Sequence, residues 1–554
     1  MKIIKGFPAT SQANCQLNVI NFLKHGARTY GRQEVVSRKH DGNMFRYTYK
    51  DAYKRVQRLA NSLNSIGIKV GDKVGVLAWN TSEHYEIYFG VPGTGAVMLL
   101  LNLRLAPEEL SYVVNHAEAK FLFVDESLLS VAEAIASECK TVKGYVIITD
   151  KKLNDIETKL EPIFSYEELL STAKPAYDWP IIEETSAYSG CYTSGTTGRP
   201  KGVYYSHRDV YLQAMTYALN ARISVKDCIF QIVPMFHVIG WGTPQAGTLA
   251  GAKLVFPGRY SLNNLGELTE ILIKERVTVS NGAPAILMPM LEHIRKMDQK
   301  PDLSGVRFIS GASEPPIAMM KGYRNLTGAE IIHSYGSTEA NAIVSLNLLM
   351  PWLEKELTEE EKWDLKRKQG FIVTGLDIKI VDETGKELSH DGKSAGEILL
   401  RGPWVSGRYY NAPGSEVQFT EDGYFKSGDA GTVDPGGFLK ITDRIKDLIK
   451  SGGEWISSVD MENTIVSHPA VLEAAVVGCP HPKWEERPLA LVVLRDEFKS
   501  KVNKKDIREH LAEKFAKWQL PDEILVVEDI LKTSVGKIDK KVIRVKYKDI
   551  YTCK

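Results

Sequence analysis

Cysteine is scarce in this chain: six in 554 residues, at positions 15, 139, 191, 228, 479 and 553. No two share a C-x-x-C spacing. That argues against a thiolate zinc site and reads as reduced thiols rather than a disulfide framework. Long apolar runs are missing as well. The most continuous, VMLLL at 97–101, falls far short of the roughly 20 residues that a membrane-spanning helix needs. The opening MKIIKGFPAT has no apolar segment of the secretory kind, so a cytoplasmic protein without integral membrane association is expected. An excess of one charge is lacking too. Lys plus Arg number 70 and Asp plus Glu 69, for a formal net charge of +1. No global field draws the chain to nucleic acid or to an anionic membrane, although a local patch still suffices for a small anion.

What is present suits an enzyme of more than one domain. At 554 residues and 43% hydrophobic composition, one simple core is too small a home for the chain. Short β-rich runs at 74–79, 121–124, 145–149, 253–256 and 306–310 read as buried strands. A helix is expected between 48 and 67. Thr48 and Asp51 form a capping box, Ala52, Val56, Leu59, Ala60, Leu63 and Ile66 make one apolar face, and Gly67 stops it. The alternation of strand and helix predicts an α/β fold with mainly parallel sheets. A boundary is expected near 443–453, followed by a small α+β domain with strands at 471–477 and 489–493 and a helix near 506–517. Residues 353–369, dense in Glu, Lys and Arg, read as a solvated surface helix.

The most informative segment is YTSGTTGRPKG, residues 192–202. Its hydroxylic residues and glycines let backbone N–H groups approach an anion closely, and Lys201 adds a point charge. It is not a Walker loop, because Gly198 is followed by Arg-Pro-Lys. A Ser/Thr/Gly run alone also suits a plain linker; the fixed order ending in Pro-Lys-Gly argues for the phosphate loop.

This segment resembles the signature loop of the adenylate-forming enzymes, which include acyl-CoA synthetases, peptide-synthetase adenylation domains and firefly-type luciferases. Further motifs follow in that family's order: PMFHVIGWG at 234–242, SGASEPP at 310–316, HSYGSTEA at 333–340, SGDAG at 427–431, ITDRIKDLIKSGGEWIS at 441–457 and KTSVGKIDKK at 532–541. The resemblance spans nearly the whole chain. It implies a large N-terminal domain (1–443), a hinge (444–446) at Lys446, and a mobile lid domain (447–554).

The resemblance also implies roles. ATP or AMP would be held by Thr193, Ser194, Gly195, Thr196, Thr197, Gly198 and Lys201, by Gly311, Ala312 and Ser313, by His333 through Thr338, and by Asp429, Ile441, Arg444 and Lys537. Within that set Tyr335 would stack on adenine, Thr338 would meet the α-phosphate, and Asp429 with Arg444 would hold the ribose hydroxyls. Thr193 and Glu339 are hard oxygen donors suited to Mg²⁺. Lys537, in the Gly-Lys position of the last motif, would be the catalytic lysine with Thr338, Glu339 and Lys201. Leu531 departs from the Pro often found there. Ser451, Gly452, Gly453 and Trp455 would line the coenzyme A tunnel. His237, Val238, Trp241, Gly311 and Gly336 would border the acyl group. His237 stands where peptide-synthetase relatives carry a carboxylate for an amine, so an amino acid substrate is not expected. Gly336 stands where acetate-specific relatives carry Trp, so an acyl channel is expected to continue past it; the alternative is that the glycine serves backbone conformation or adenine packing.

The expected activity is an ATP-dependent, AMP-forming ligation of a carboxylic acid to coenzyme A. SGGEWISSVDME resembles the fatty-acyl branch, with a medium-chain acid first and short-chain, hydroxy or long-chain acids as alternatives. An adenylating enzyme that loads a carrier protein and a non-catalytic nucleotide-binding regulator are the competing readings. A homodimer is left open.

Overall fold

The computed structural model describes residues 4–12, 14–193, 199–261, 265–452, 454–532 and 538–552. Helix α1 (Tyr49–Ser65) carries the capping box at Thr48 and Asp51, and its apolar face is buried at Ala52, Val56, Leu59, Ala60 and Leu63. Gly67, at φ 87°, terminates it. Strand β1 (Lys73–Leu77), helix α2 (Ser82–Gly93), strand β2 (Val97–Leu100) and helix α3 (Pro107–His116) follow. All residues of α2 are buried. Strand β3 (Ala187–Tyr192) pairs in parallel with β2 and antiparallel with β4 (Gly202–Ser206). These strands belong to a seven-stranded sheet, parallel except at β3–β4.

A second sheet has thirteen strands. Its parallel part includes β5 (Arg307–Ser310) beside β6 (Glu330–Tyr335). After the charged helix α4 (Glu359–Arg367) it continues antiparallel through β7 (Phe425–Val433) and β8 (Phe438–Arg444). The main core lies between the two sheets, where Val76 and Phe123 from one and Ile309 and Ile332 from the other join Val56 and Leu59 of α1.

Past Arg444 the chain leaves this sheet. Strands β9 (Ile449–Ser451), β10 (Glu454–Ile456), β11 (Val471–His481) and β12 (Glu485–Leu494) form a separate five-stranded sheet with residues 523–526. Helix α5 (Ser458–Ser467) precedes β11, and α6 (Lys540–Lys546) closes the described chain. Alternate residues of β11 feed two cores. Ala474 and Val476 face α5, while Ala475 and Val477 meet Ile543 of α6. The period of two is what puts a helix on each face. The fold is thus a large N-terminal α/β body with a smaller α+β domain, as expected.

Two sequence expectations change. The helix placed at 506–517 runs Lys504–Ala512, because a capping box from Asn503 and Asp506 starts it earlier. The charged segment is not merely solvated. α4 ends on Arg367, which is less than a quarter exposed and pairs with Glu314 of the body and Asp460 of α5, each at 3.0 Å. Among the described residues no helix is long and apolar enough to cross a membrane.

Candidate active site

The segment expected to bind phosphate links the end of β3 to the start of β4. At its neck the Thr193 amide donates to the Lys201 carbonyl at 2.9 Å, and the Lys201 amide donates to the Thr193 hydroxyl at 3.3 Å. Ser194, Gly195, Thr196, Thr197 and Gly198 lie outside the described residues, as do Gly453 and Lys537. The neck opens onto a cavity of about 420 Å³ bordered by Thr193, Arg199, Lys201, Gly311, Ala312, Ser334, Gly336, Ser337, Thr338, Glu339 and Arg444, with Phe236, His237, Val238 and Trp241 on its apolar wall. A pocket of this size with a few convergent polar groups is the ordinary form of a small-molecule site.

Lys201, Tyr409 and Glu339 form a chain. The Lys201 ammonium lies 4.8 Å from the centre of the Tyr409 ring, and the Tyr409 hydroxyl donates to Glu339 at 2.6 Å. Burial and the Glu339 charge keep that phenol protonated. The Thr338 carbonyl accepts from the Tyr205 hydroxyl at 2.5 Å. Tyr409 and Tyr205 escaped the sequence reading. The available signals were the paired tyrosines in GVYYSH at 202–207 and in GRYYNAPG at 407–414.

On the opposite side, β6 carries HSYGSTEA off the end of a strand, as expected. Gly311 leaves no room for a side chain: a β-carbon would lie 2.9 Å from the Ser334 hydroxyl and 3.2 Å from the Trp241 ring. Asp429 and Arg444 are directly opposite in the β7–β8 ladder and pair at 3.1 Å. The Tyr335 hydroxyl donates to the other oxygen of Asp429 at 2.5 Å. Burial first, and Asp429 second, push the Tyr335 phenol well up. An ionised carboxylate has about four lone-pair sites, so Asp429 retains capacity for further hydroxyl donors.

Several expected nucleotide contacts do not lie on the cavity wall: Ser313, His333, Tyr335, Asp429 and Ile441. Tyr335 and Asp429 reach the cavity through Arg444. Ser313 is exposed, and the Ile441 amide is held by Gln369 at 2.6 Å. His333 is buried and donates Nδ1–H to the Arg367 carbonyl at 3.0 Å, which ties β6 to α4. Desolvation pushes its imidazole down to about 4 from 6.5. The unfolded chain therefore gains a proton below pH 6.5 that the folded chain refuses. His333 favours folding fully above pH 6.5, and that contribution is lost as pH falls toward 4, by about 1.4 kcal/mol per pH unit. Urea melts at pH 7.5, 6 and 5 should show the stability gap between wild type and His333→Asn shrinking with acid. A gap constant across that range would remove this titration from the stability of the fold.

The apolar wall has an unusual backbone. Val238, Ile239, Gly240, Trp241 and Gly242 all have positive φ, from 37° to 74°. A left-handed turn costs a side-chain-bearing residue roughly 1–2 kcal/mol. A buried polar network offsets this. Gln231 donates to the Gly240 carbonyl at 3.1 Å, Asn281 donates to Thr243 at 2.8 Å, and Asn80 accepts the Met235 amide at 2.7 Å. The turn presents His237, Val238 and Trp241 to the cavity.

The open channel expected past Gly336 is not what the structure puts there. A β-carbon on Gly336 would lie 1.6 Å from the Ala342 carbonyl oxygen. Gly336 borders the cavity with its backbone, and its bare side is filled by main chain. Of the residues expected to face coenzyme A, Ser451, Gly452 and Trp455 sit on the β9–β10 hairpin, away from the cavity wall. Ser451 is buried and accepts from Arg487 at 2.9 Å, Gly452 turns at φ 63° beneath Trp484, and Trp455 is about half exposed. Lys446 lies in the turn between β8 and β9 and lends its carbonyl to Arg544 at 3.4 Å.

The sequence matches the AMP-binding enzyme family over residues 23–410 and the AMP-binding enzyme C-terminal domain over 460–537. The chain belongs to the AMP-binding enzymes, the adenylate-forming superfamily that includes the acyl-CoA synthetases. Curated relatives that match over nearly their full length include acyl-CoA ligases. A long-chain-fatty-acid–CoA ligase of Thermus thermophilus is 42% identical over 99% of this chain and 98% of the relative. A medium-chain-fatty-acid–CoA ligase of Ectopseudomonas oleovorans is 37% identical over 97% of each. Among solved structures, the anthranilate CoA ligase AuaEII in complex with anthranoyl-AMP superimposes with a TM-score of 0.86 at 25% identity, over 97% of this chain and 98% of that one.

Proposed function

We propose that this chain, an ATP-dependent acid–CoA ligase by family, activates a medium-chain fatty acid. One observation carries the reading. A single cavity has the phosphate-loop neck, Thr338, Glu339 and Arg444 on its wall together with the apolar turn at Phe236–Val238 and Trp241. It suits a ligand that is anionic at one part and oily at another, which is the character of an acyl-adenylate. The full-length likeness to fatty-acid ligases supports the same acid class.

In this reading the acid's carboxylate attacks the α-phosphorus of ATP and pyrophosphate leaves. Lys201, Thr338 and Lys537 offset the charge that builds up on the phosphoryl oxygens. Asp429 accepts from the ribose, with Arg444 beside it. Glu339 and the Thr193 hydroxyl are a fitting donor pair for Mg²⁺, which characteristically takes one or two carboxylates and completes its shell with substrate phosphates and water. When bound, the ion would neutralise phosphate charge. The smaller domain, pivoting near Lys446, would then bring Ser451, Gly452, Gly453 and Trp455 to coenzyme A, whose thiol displaces AMP. Exclusion of water protects the mixed anhydride meanwhile.

The test is pyrophosphate release and thioester formation across acetate, butyrate, hexanoate, octanoate, dodecanoate, palmitate and benzoate, with and without coenzyme A. kcat/KM should climb from acetate to a medium-chain optimum, by roughly fourfold per methylene. An optimum at palmitate, acetate or benzoate would replace the proposed acid. Adenylation without any transfer to coenzyme A would favour a carrier-protein loader.

A further inference from the structure

Both legs of the phosphate loop rest on one helix. Tyr112 and His116 are four residues apart on α3, so they share a face, with ring centres 5.2 Å apart. His116 Nδ1 lies 2.8 Å from the hydroxyl of Tyr192, the residue before the loop's neck. The Tyr112 ring lies 5.0 Å from the guanidinium carbon of Arg199, on the loop's returning leg. The second imidazole nitrogen of His116 lies 3.2 Å from the carbonyl of Asn411. Its neighbour Tyr410 donates its amide to the Gly202 carbonyl at 2.8 Å and packs edge-on against the His116 ring.

The chemistry of these partners assigns the tautomer. A carbonyl only accepts, so Nε2 carries the hydrogen and donates to Asn411. Nδ1 then accepts from the Tyr192 hydroxyl, which burial keeps in its phenol form. His116 itself is absent from the cavity wall, whereas Tyr192 and Arg199 are on it. A binding loop loses conformational freedom when it closes on its ligand, which costs free energy. Legs already anchored reduce the part of that cost charged to nucleotide binding.

We infer that His116, seconded by Tyr112, is a positioning residue for ATP: it fastens the two legs of the phosphate loop to α3 and to the 410–411 segment without touching substrate. The inference rests on the reading that this loop receives the phosphates of ATP. Nothing in it depends on which acid is activated.

The experiment compares steady-state KM for ATP with KM for the acid in the full-length enzyme. His116→Phe should raise KM for ATP about five- to tenfold, the scale of losing two partly exposed hydrogen bonds, with KM for the acid within about twofold of wild type on the same scale. His116→Gln can accept from Tyr192 and donate to Asn411, so it should recover most of the loss. Tyr192→Phe removes one of the two bonds that His116→Phe removes, so it should reproduce part of that loss, and the double variant should be no worse than His116→Phe alone. An equal rise in both KM values, a Gln variant as impaired as Phe, or additive single effects would each overturn the assignment. If His116→Phe does not fold, the Tyr192→Phe and His116→Gln variants decide the same question. Lys201→Ala separates the role of the loop from the role of its anchor. If it leaves KM for ATP unchanged, the loop is not the phosphate site; if it raises that KM while His116→Phe does not, only the positioning role fails.

Discussion

Gly336→Ala should cripple turnover of acetate, hexanoate and dodecanoate together, and should lower the melting temperature as well. The added methyl would sit 1.6 Å from the Ala342 carbonyl oxygen and 2.4 Å from its carbon. Those atoms are main chain, so no rotamer change can clear them. The turn that carries them is also tied down. The Ala342 amide donates to Ser337 at 3.1 Å, the Val344 amide donates to Tyr335 at 2.8 Å, and Asn341 and Ala342 already sit at φ 47° and 76°. Overpacking typically costs about 1–3 kcal/mol where side chains can yield, and here the backbone must move. Thr338 and Glu339 lie inside this turn, so their positions would be lost with it. Thermal melts and kcat/KM for the three acids decide the matter. Selective failure of the long acids, with acetate activity retained, would mean that the bare side of Gly336 is channel space after all.

Lys537→Ala should reduce acyl-adenylate formation by roughly 10²-fold or more, the scale of losing one preorganised donor to developing charge. Transfer from a supplied acyl-adenylate to coenzyme A should largely survive. Lys537 lies outside the described residues, but its neighbours narrow the choice. Lys532 pairs with Glu473 at 3.0 Å. Lys540 is partly buried and pairs with Glu462 at 2.8 Å and the Ser458 hydroxyl at 2.6 Å, and Arg544 is committed to Asp447 at 2.6 Å. Lys540 and Arg544 hold α6 to the rest of its domain. Single-turnover pyrophosphate release and thioester formation, measured separately, test the assignment. Equal loss in both half-reactions would sink it.

These two cases show where sequence reading is strong and where it stops. β6, with HSYGSTEA leaving its end, was legible because a short apolar run precedes that motif in the chain. The capping box of α1 was legible because Thr48 and Asp51 are neighbours in the chain. Tyr409, Arg367 and His116 were not. Each acts on a residue more than 50 positions away, and nothing in its own surroundings announces the partner. His333 was assigned to the nucleotide by its motif, yet its side chain turns to α4.

By itself the sequence determined the local grammar: period-two strands that give the smaller domain a core on both faces, a capped amphipathic helix, and a glycine-and-hydroxyl loop with its following lysine. These depend on contacts within a few residues, so composition and spacing suffice. Only the tertiary structure decided which atoms fill the space around them. The left-handed turn at Val238–Gly242 contains residues that disfavour that conformation, and it is supported by Gln231, Asn281 and Asn80 from three separate segments. The vacancy implied by Gly336 is taken by a carbonyl six residues on. Both outcomes follow from close packing. A bare or strained position has no meaning until the neighbours that abut it are known, and those neighbours are chosen by the global fold rather than by the local sequence.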